Sequence, residues 1–428
     1  MSEWKETEIG LIPEEWNIYT LSKYIKQKRG ICYGVVQPGF HDENGLPIIR
    51  VNNIKNGRII TDEVLKISPD IESKYKRSRL EGDEILITLV GNVGEVAIVD
   101  SRYKNWNVAR AVGVLPIDKN IDKNWLKYWL QSSQVQQYIN SHCNTTVQIT
   151  FNLGDVCNLP ILDPPLVEQK RIADVLSCLD AKIENLRRQN ETLEAIAQTL
   201  FKHWFIDFEF PNADGKPYKS SGGAMIPSEL GDIPEGWRVG KLEELITVNP
   251  RESIKNGEIV KYVDMKALST SSMEITGYVT REFTSGSKFR NQDTLLARIT
   301  PCLENGKTAF VSILDNEEVA FGSTEFIVLR AKQNCCPEYV YPLARSAYFR
   351  DFAVKNMTGS SGRQRIPNDV IANYKLSIPD IKTIKSYQNL CRPLFLKTSS
   401  NQKQIQTLTK TRDALLPKLI SGQLRIKE

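Results

Sequence analysis

The chain is 428 residues long, and at about 100 to 200 residues per domain it calls for two or three domains rather than one. Hydrophobic residues make up 41% and charged residues 25%, near the globular average, which excludes wholesale disorder and collagen-like folds. A net charge of +5 is weakly basic and permits nucleic-acid contact without demanding it. Apolar runs such as Glu84 to Val90 stop far short of the roughly 18 residues of a membrane span. Met1-Ser2-Glu3-Trp4-Lys5-Glu6 lacks a signal core, so the expectation is a soluble, cytoplasmic protein with no membrane partner. Eight scattered cysteines (Cys32, Cys143, Cys157, Cys178, Cys302, Cys335, Cys336, Cys391) form no C-x2-C pair and read as buried reduced thiols, with no metal site.

In chain order, Ile12-Pro13-Glu14-Glu15-Trp16, followed by Leu21 and Ile25, is the first patterned segment. Short β-rich runs follow, broken by Gly, Asn and Pro: Pro47-Ile48-Ile49, then Gly82 to Thr88, then Gly94 to Val99. After Asp163-Pro164-Pro165, whose prolines suit a helix start, apolar residues fall at Ile172, Leu176, Leu179, Ile183, Leu186, Leu193, Ala197, Leu200 and Trp204, with Asn190 in the remaining seam position. Steps alternating between three and four mark a coiled-coil seam, in which a single polar Asn sets register. Pro211 to Pro227 contains Gly215, Ser220, Ser221, Gly222 and Gly223, the composition of an exposed linker. Ile233-Pro234-Glu235-Gly236-Trp237, with Leu242 and Ile246, then repeats the opening at an offset of 221 residues. Gln292 to Arg298 and Gly306 to Val311 repeat the two later β-rich runs. At an offset of 215, Tyr387, Cys391, Leu394, Thr398, Asn401, Ile405, Leu408, Arg412, Leu415 and Leu419 repeat the seam in weaker form, and Pro393 is expected to kink or delay this helix.

The chain therefore reads as two copies of one unit, each closing with a helix of up to about 40 residues, roughly 60 Å. Such a helix cannot fold back into its own small domain, so the natural partner of one seam is the other. Two equivalent units joined head to tail then place their helices antiparallel, with the β-rich domains at opposite ends of a rigid rod. The expected pairing residues are Ile172, Leu176, Leu179, Ile183, Leu186, Asn190, Leu193, Ile405, Leu408, Leu415 and Leu419.

Catalytic motifs are incomplete. Asp163-Pro164-Pro165-Leu166 has the letters of an amino-methyltransferase motif, but Leu166 stands where an aromatic residue would stack on a flipped base, and no Gly-x-Gly cofactor loop exists. Gly306-Lys307-Thr308 resembles a P-loop end, yet the required earlier Gly is Pro301. Asp70, Glu72 and Lys74 read as a solvated loop, and His41, His142 and His203 are too few and too far apart in sequence to assemble a triad. No catalytic residue is assigned. Two similar but non-identical binding domains on a rigid spacer fit an adaptor for a bipartite target, and double-stranded DNA demands fixed spacing between half-sites. Arg50, Asn52, Asn53, Lys55, Arg77, Arg79, Arg110 and Gln148 in the first copy are candidate contacts. Lys266, Lys288, Arg290, Arg298, Lys307, Arg363, Gln364 and Arg365 occupy comparable places in the second. Arg and Lys bond guanine edges or phosphates, and Asn and Gln bond adenine edges.

Several longer segments carry a specific resemblance: Leu230 to Trp237, Leu200 to Phe208, Leu295 to Lys307, Gly322 to Phe326, and Leu415-Leu416-Pro417-Lys418-Leu419-Ile420-Ser421-Gly422. Together they make the chain resemble, over essentially its whole length, a specificity subunit of type I restriction-modification systems (the HsdS family). The resemblance implies an α/β (α+β) fold: two tandem mixed α/β target recognition domains separated by two long antiparallel coiled-coil helices with pseudo-twofold symmetry. The corresponding divisions are recognition domain 1 at 1–163, central helix 164–206, linker 207–228, recognition domain 2 at 229–378, C-terminal helix 379–422 and tail 423–428. It also implies defence against foreign DNA, with two methyltransferase subunits docked on the helices and motor-nuclease subunits joining them. DNA methylation, commonly at adenine N6 with S-adenosylmethionine, and cleavage then belong to those partners, and this chain holds no cofactor. Departures are Gln292, where related sequences often have Gly, and the polar seam at Thr398 and Asn401. The rival readings are a structural coiled-coil adaptor without sequence-specific DNA binding and a self-contained methyltransferase or nuclease.

Overall fold

The computed structural model describes residues 4–61, 64–144, 149–360 and 362–426. Its contacts divide the chain into two units, residues 1–182 with 407–428 and residues 183–406. The central helix, Leu166–Phe205, and the C-terminal helix, Ile381–Ile420, are each 40 residues long, and each contributes to both units. The second helix repeats the bounds of the first at the offset of 215 residues read from the seam.

In the first unit, strand Asn17–Thr20 pairs antiparallel with Pro160–Asp163 and brings the opening segment beside the start of the central helix. A four-stranded antiparallel sheet runs in the order Val96–Ile98, Ile85–Thr88, Val112–Leu115, Cys32–Tyr33. Alternation along Ile85–Thr88 sends Ile85 and Ile87 into a core with Trp16, Trp125 and Trp129, and Leu86 into a second core with Ile49, Ile54 and Val108. Helix Lys123–Leu130 starts at Asp122, whose carboxylate accepts the amides of Asn124 and Trp125, both at 2.9 Å. The indole N–H groups of Trp125 and Trp129 donate to the Leu162 and Pro160 carbonyls at 3.1 and 2.7 Å, fastening this helix to the strand before the central helix. Leu419 and Ile420 of the C-terminal helix join the same core as Trp16, Ile172 and Leu176. Arg412 donates to Asp180 at 2.9 Å, and Arg425 donates to Glu168 at 3.0 Å, so the two helices run antiparallel here.

The second unit repeats the order. Arg238–Lys241 pairs with Lys375–Ile378, and the sheet runs Ile246–Val248, Phe326–Ala331, Thr294–Ala297, Thr308–Phe310. A further four-stranded sheet orders Val279–Glu282, Ile259–Val263, Ala320–Gly322 and Ser287–Phe289. Asn401 donates to Asn190 at 2.8 Å, and the Tyr387 hydroxyl donates to the Ala197 carbonyl at 3.3 Å, again an antiparallel order. Trp204 and Phe205 close the seam against Tyr387 at centroid distances of 5.6 and 4.9 Å. Of the expected pairing residues, Ile172, Leu176, Ile183, Leu186, Asn190, Ile405 and Leu419 are buried, while Leu179, Leu193, Leu408 and Leu415 are half-buried.

Several expectations need correction. The C-terminal helix begins at Ile381 and runs through Pro393, so the proline does not delay it. Buried Tyr387, Cys391 and Phe395 on either side supply packing that offsets the one lost backbone bond. The segment 207–228 is exposed but not featureless. Tyr218 stacks on Phe210 at 4.6 Å and donates its hydroxyl to the Ala224 carbonyl at 2.8 Å. Among the thiols, Cys32, Cys336 and Cys391 are buried, but Cys178 lies outside the seam and is exposed.

The turn at Gln292 keeps the left-handed backbone that Gly82 adopts at the matching turn, with φ of 72° against 99°. A side chain there crowds the backbone, which Gly avoids. Gln292→Gly is expected to raise stability by about 0.5–1 kcal/mol, measured as a higher urea midpoint with an unchanged slope.

Candidate nucleic-acid interface

In the second unit, strand Thr294–Ala297 runs into a turn that a later segment meets. Arg365 bridges both Ile299 and Thr358, the Thr300 amide donates to the Gln364 carbonyl at 3.0 Å, and the Ile366 amide donates to the Arg298 carbonyl at 3.0 Å. This backbone pairing gathers Arg298, Gln364 and Arg365 with Arg363, and the Arg298 amide donates to the Glu325 carbonyl at 3.0 Å. Arg365 grips the Glu325 carboxylate with two nitrogens, at 2.9 Å from Nε and 2.6 Å from Nη2. That guanidinium holds the Glu325 carboxyl below its usual range, against the opposing effect of burial. Arg363 is exposed, and the Arg365 side chain is 43% exposed with its charge paired to Glu325.

The same turn ends at Lys307, whose Nζ donates to the Met265 carbonyl at 2.9 Å, next to Lys266. The Lys266 side chain is 89% exposed and lies 3.2 Å from Asp264. Two arginines that sequence reasoning missed join this region. Arg345 donates to the Gly306 carbonyl at 2.7 Å, and a Cβ on Gly306 would lie 2.9 Å from Arg350 Nη1. Their signal was available as basic residues on the helices Pro337–Arg345 and Ala347–Lys355, but nothing in one dimension places those helices under the turn.

Lys288 and Arg290 belong to a different arrangement. Arg290 lies 2.8 Å from Glu252, and Lys288 donates to the Glu252 carbonyl at 3.1 Å. Arg330 joins Glu252 to the buried Asp293, bonding them at 2.6 Å each. In this structure both candidates take part in a charge-compensated network around Glu252.

The first unit has the same turn with different chemistry. Val90 bridges Thr150, the Gly91 amide donates to the Ile149 carbonyl at 2.9 Å, and the Phe151 amide donates to the Leu89 carbonyl at 2.8 Å. Gln136 donates to the Gly94 carbonyl at 3.0 Å, as Arg345 does to Gly306. The positions that carry Gln364 and Arg365 in one unit thus carry Ile149 and Thr150 in the other. Gln148 lies outside the described residues.

Other first-unit candidates divide by their partners. Asn52, Lys55 and Arg110 are exposed and remain available for contact, and Arg50 is half-buried. Asn53 is 3% exposed, accepting the Arg50 amide and donating to the Ile60 carbonyl, both at 2.9 Å, so it is corrected to a turn-forming residue. Arg79 is ion-paired: its Nε donates to the buried Glu72 at 2.7 Å, and Asn107 donates to the same oxygen at 3.2 Å. Arg77 is exposed, but its guanidinium bonds the Arg29 and Ile31 carbonyls at 3.0 and 3.3 Å.

Among the described residues, Glu81, Asp83 and Glu84 are the carboxylates that lie close enough together to hold a cation. Asp83 instead accepts from Lys26 at 2.9 Å, while Glu84 accepts from Arg29 at 2.5 Å and from the Glu81, Gly82 and Asp83 amides. Lys26 and Arg29 thus compensate the charge of Asp83 Oδ2 and Glu84, while Asp83 Oδ1 is buried without a hydrogen-bond partner.

Comparison with known proteins adds to this geometry. The family described as "Type I restriction modification DNA specificity domain" matches residues 13–195 and 234–411. The type I restriction enzyme MjaIX specificity subunit of Methanocaldococcus jannaschii is 28% identical over 451 aligned positions, covering 100% of this chain and 98% of that protein. The EcoBI specificity subunit of Escherichia coli is 36% identical, over 42% of this chain and 38% of its own length. The crystal structure of a type I restriction-modification S subunit from M. genitalium superposes with a TM-score of 0.54 at 16% identity, covering 94% of this chain and 96% of that one, which supports the fold. No helix among the described residues is long and apolar enough to cross a membrane.

Replacing both Arg363 and Arg365 by Ala is expected to flatten the salt dependence of duplex binding. The slope of log affinity against log salt should fall by about 0.9 for each phosphate no longer neutralised, measured by titration at several salt concentrations.

Proposed function

Because the chain belongs to the type I restriction-modification DNA specificity family, we propose that each unit reads one half of a bipartite DNA site, through recognition domains at 1–163 and 229–378. The carrying observation is that one backbone frame, a strand-end turn bridged by a returning segment, bears different side chains in the two units. Arg298, Arg363, Gln364 and Arg365 offer donors suited to guanine, adenine and phosphate, whereas Leu89, Ile149 and Thr150, at the positions matching Arg298, Gln364 and Arg365, are uncharged and largely apolar. A shared frame with unlike side chains favours two unlike half-sites, and it disfavours an adaptor indifferent to sequence.

In this reading the paired helices set the spacing and dock two methyltransferase subunits, with motor-nuclease subunits joining the complex. S-adenosylmethionine chemistry and cleavage lie in those partners. Apolar side chains left exposed along both helices support docking: Leu166, Val167 and Ile196 on the central helix, and Ile381, Leu390 and Leu396 on the C-terminal one.

The test is the genome-wide modification pattern when the chain is co-expressed with a methyltransferase partner. A split motif dependent on this chain is expected. Arg363→Ala with Arg365→Ala should weaken recognition at one half only, by about 1–3 kcal/mol for each base that is no longer bonded. Equal loss at both halves would refute the assignment of one half to each domain, and a pattern independent of the chain would refute sequence recognition by it.

A further inference from the structure

The second unit holds a buried polar cluster that the seam pattern did not predict beyond Asn190 and Asn401. Glu194, on the central helix, lies between seam positions Leu193 and Ala197 and is buried. One of its carboxylate oxygens accepts the Met273 amide at 2.6 Å. The other accepts the Tyr341 hydroxyl at 2.6 Å and the Gln198 amide at 2.9 Å, with Arg345 Nε 3.8 Å away. The next residue after Met273 makes the opposite gesture. Glu274 reaches from the loop Ser269–Thr276 into the helix pair, where it accepts the Asn190 side-chain amide and, with the Gln402 amide turned nitrogen-inward, a second bond at 2.6 Å. Asn190 in turn accepts from Asn401 at 2.8 Å.

Consecutive loop residues therefore exchange bonds with both helices: the helix carboxylate takes a loop amide, and the loop carboxylate takes helix amides. Burial pushes both the Glu194 and Glu274 carboxyls up, so each sits where an unpartnered charge would be costly. An arrangement of this kind tolerates little sliding, because any shift leaves a buried carboxylate or amide unpaired. Apolar packing alone would permit sliding at much lower cost.

Resting on the bipartite reading above, we infer that Glu194 and Glu274 form a reciprocal clasp that fixes the orientation of the second recognition domain on the helix pair, and thereby helps set the spacer length the protein accepts. They are positioning residues, acting through the loop rather than by touching DNA.

The experiment uses the full chain assembled with its methyltransferase partner and duplexes whose spacer is lengthened or shortened by one base pair. Wild type should discriminate against both altered spacers. Glu274→Ala, which alters the loop side and spares the helix seam residues themselves, should lower that discrimination by about tenfold, while the bases required in each half stay the same. Glu194→Gln, which keeps the shape and can still accept the Met273 amide through its one carbonyl oxygen, should retain most of it. Hydrogen exchange in the loop Ser269–Thr276 should accelerate in Glu274→Ala. Strict spacing retained by Glu274→Ala, or activity falling equally on every spacer, would overturn the clasp alone. A wild-type complex indifferent to spacer length would instead overturn the bipartite reading, and the clasp with it.

Discussion

The first unit cannot complete its core from a contiguous stretch of chain, because residues 407–428 must return to residues 1–182, and in both units the pairing of the two long helices closes the core. In the first unit, Trp16 near the start of the sequence shares a core with Leu419 and Ile420 near its end. Trp16 also donates its indole N–H to Glu168 at 3.0 Å, the carboxylate that Arg425 engages. In the second unit, Trp204 and Phe205 from the end of the central helix pack with Trp237, Tyr339 and Tyr387. Contacts so distant in sequence carry a loop-closure entropy that local helix formation cannot repay. The extensive apolar burial along the seam opposes that cost.

On this support the two units present the same backbone frame with different chemistry. The turn after the sheet strand and the returning segment are held by backbone bonds that do not depend on side-chain identity. Side chains at the bridged positions can therefore change without loss of the frame. That is the physical condition for a family whose members share a scaffold and differ in what they read. Charge in the second unit is divided between two roles: Arg330 is tied to buried Asp293 and Glu252, whereas Arg363 projects into solvent. Total basicity thus says little about where DNA contacts lie.

The polar seam plays a part that hydrophobic periodicity does not convey. Asn190 and Asn401 meet each other, as a register-setting pair should. They also connect to Glu274 through Asn190, so the helix pair and the domain beside it are joined by one network rather than two separate interfaces. Thr398, a departure in the seam, is buried; it turns its hydroxyl back to the Leu394 carbonyl at 3.0 Å, and its own carbonyl accepts the Asn190 side-chain amide of the facing helix at 3.5 Å.

By itself, the sequence determined the internal repeat, both long helices, their antiparallel seam and the family, because these depend on periodicity and on motifs that recur within one dimension. A seam that recurs at a constant offset is legible from the order of residues alone, and the two helices share that offset in their bounds. The tertiary structure alone decided which basic residues remain available. Asn53 looks like Asn52 in the sequence, yet Asn53 is buried and tied to the Ile60 carbonyl while Asn52 is exposed, and Arg77 and Arg79 are held by different partners, the Arg29 and Ile31 carbonyls and the Glu72 carboxylate. It likewise decided that Arg345 and Arg350 approach the Gly306 turn. It also joined Glu194 to Met273 across 79 residues of chain. Charge compensation and burial depend on neighbours brought together by folding, and a linear pattern carries no record of those neighbours.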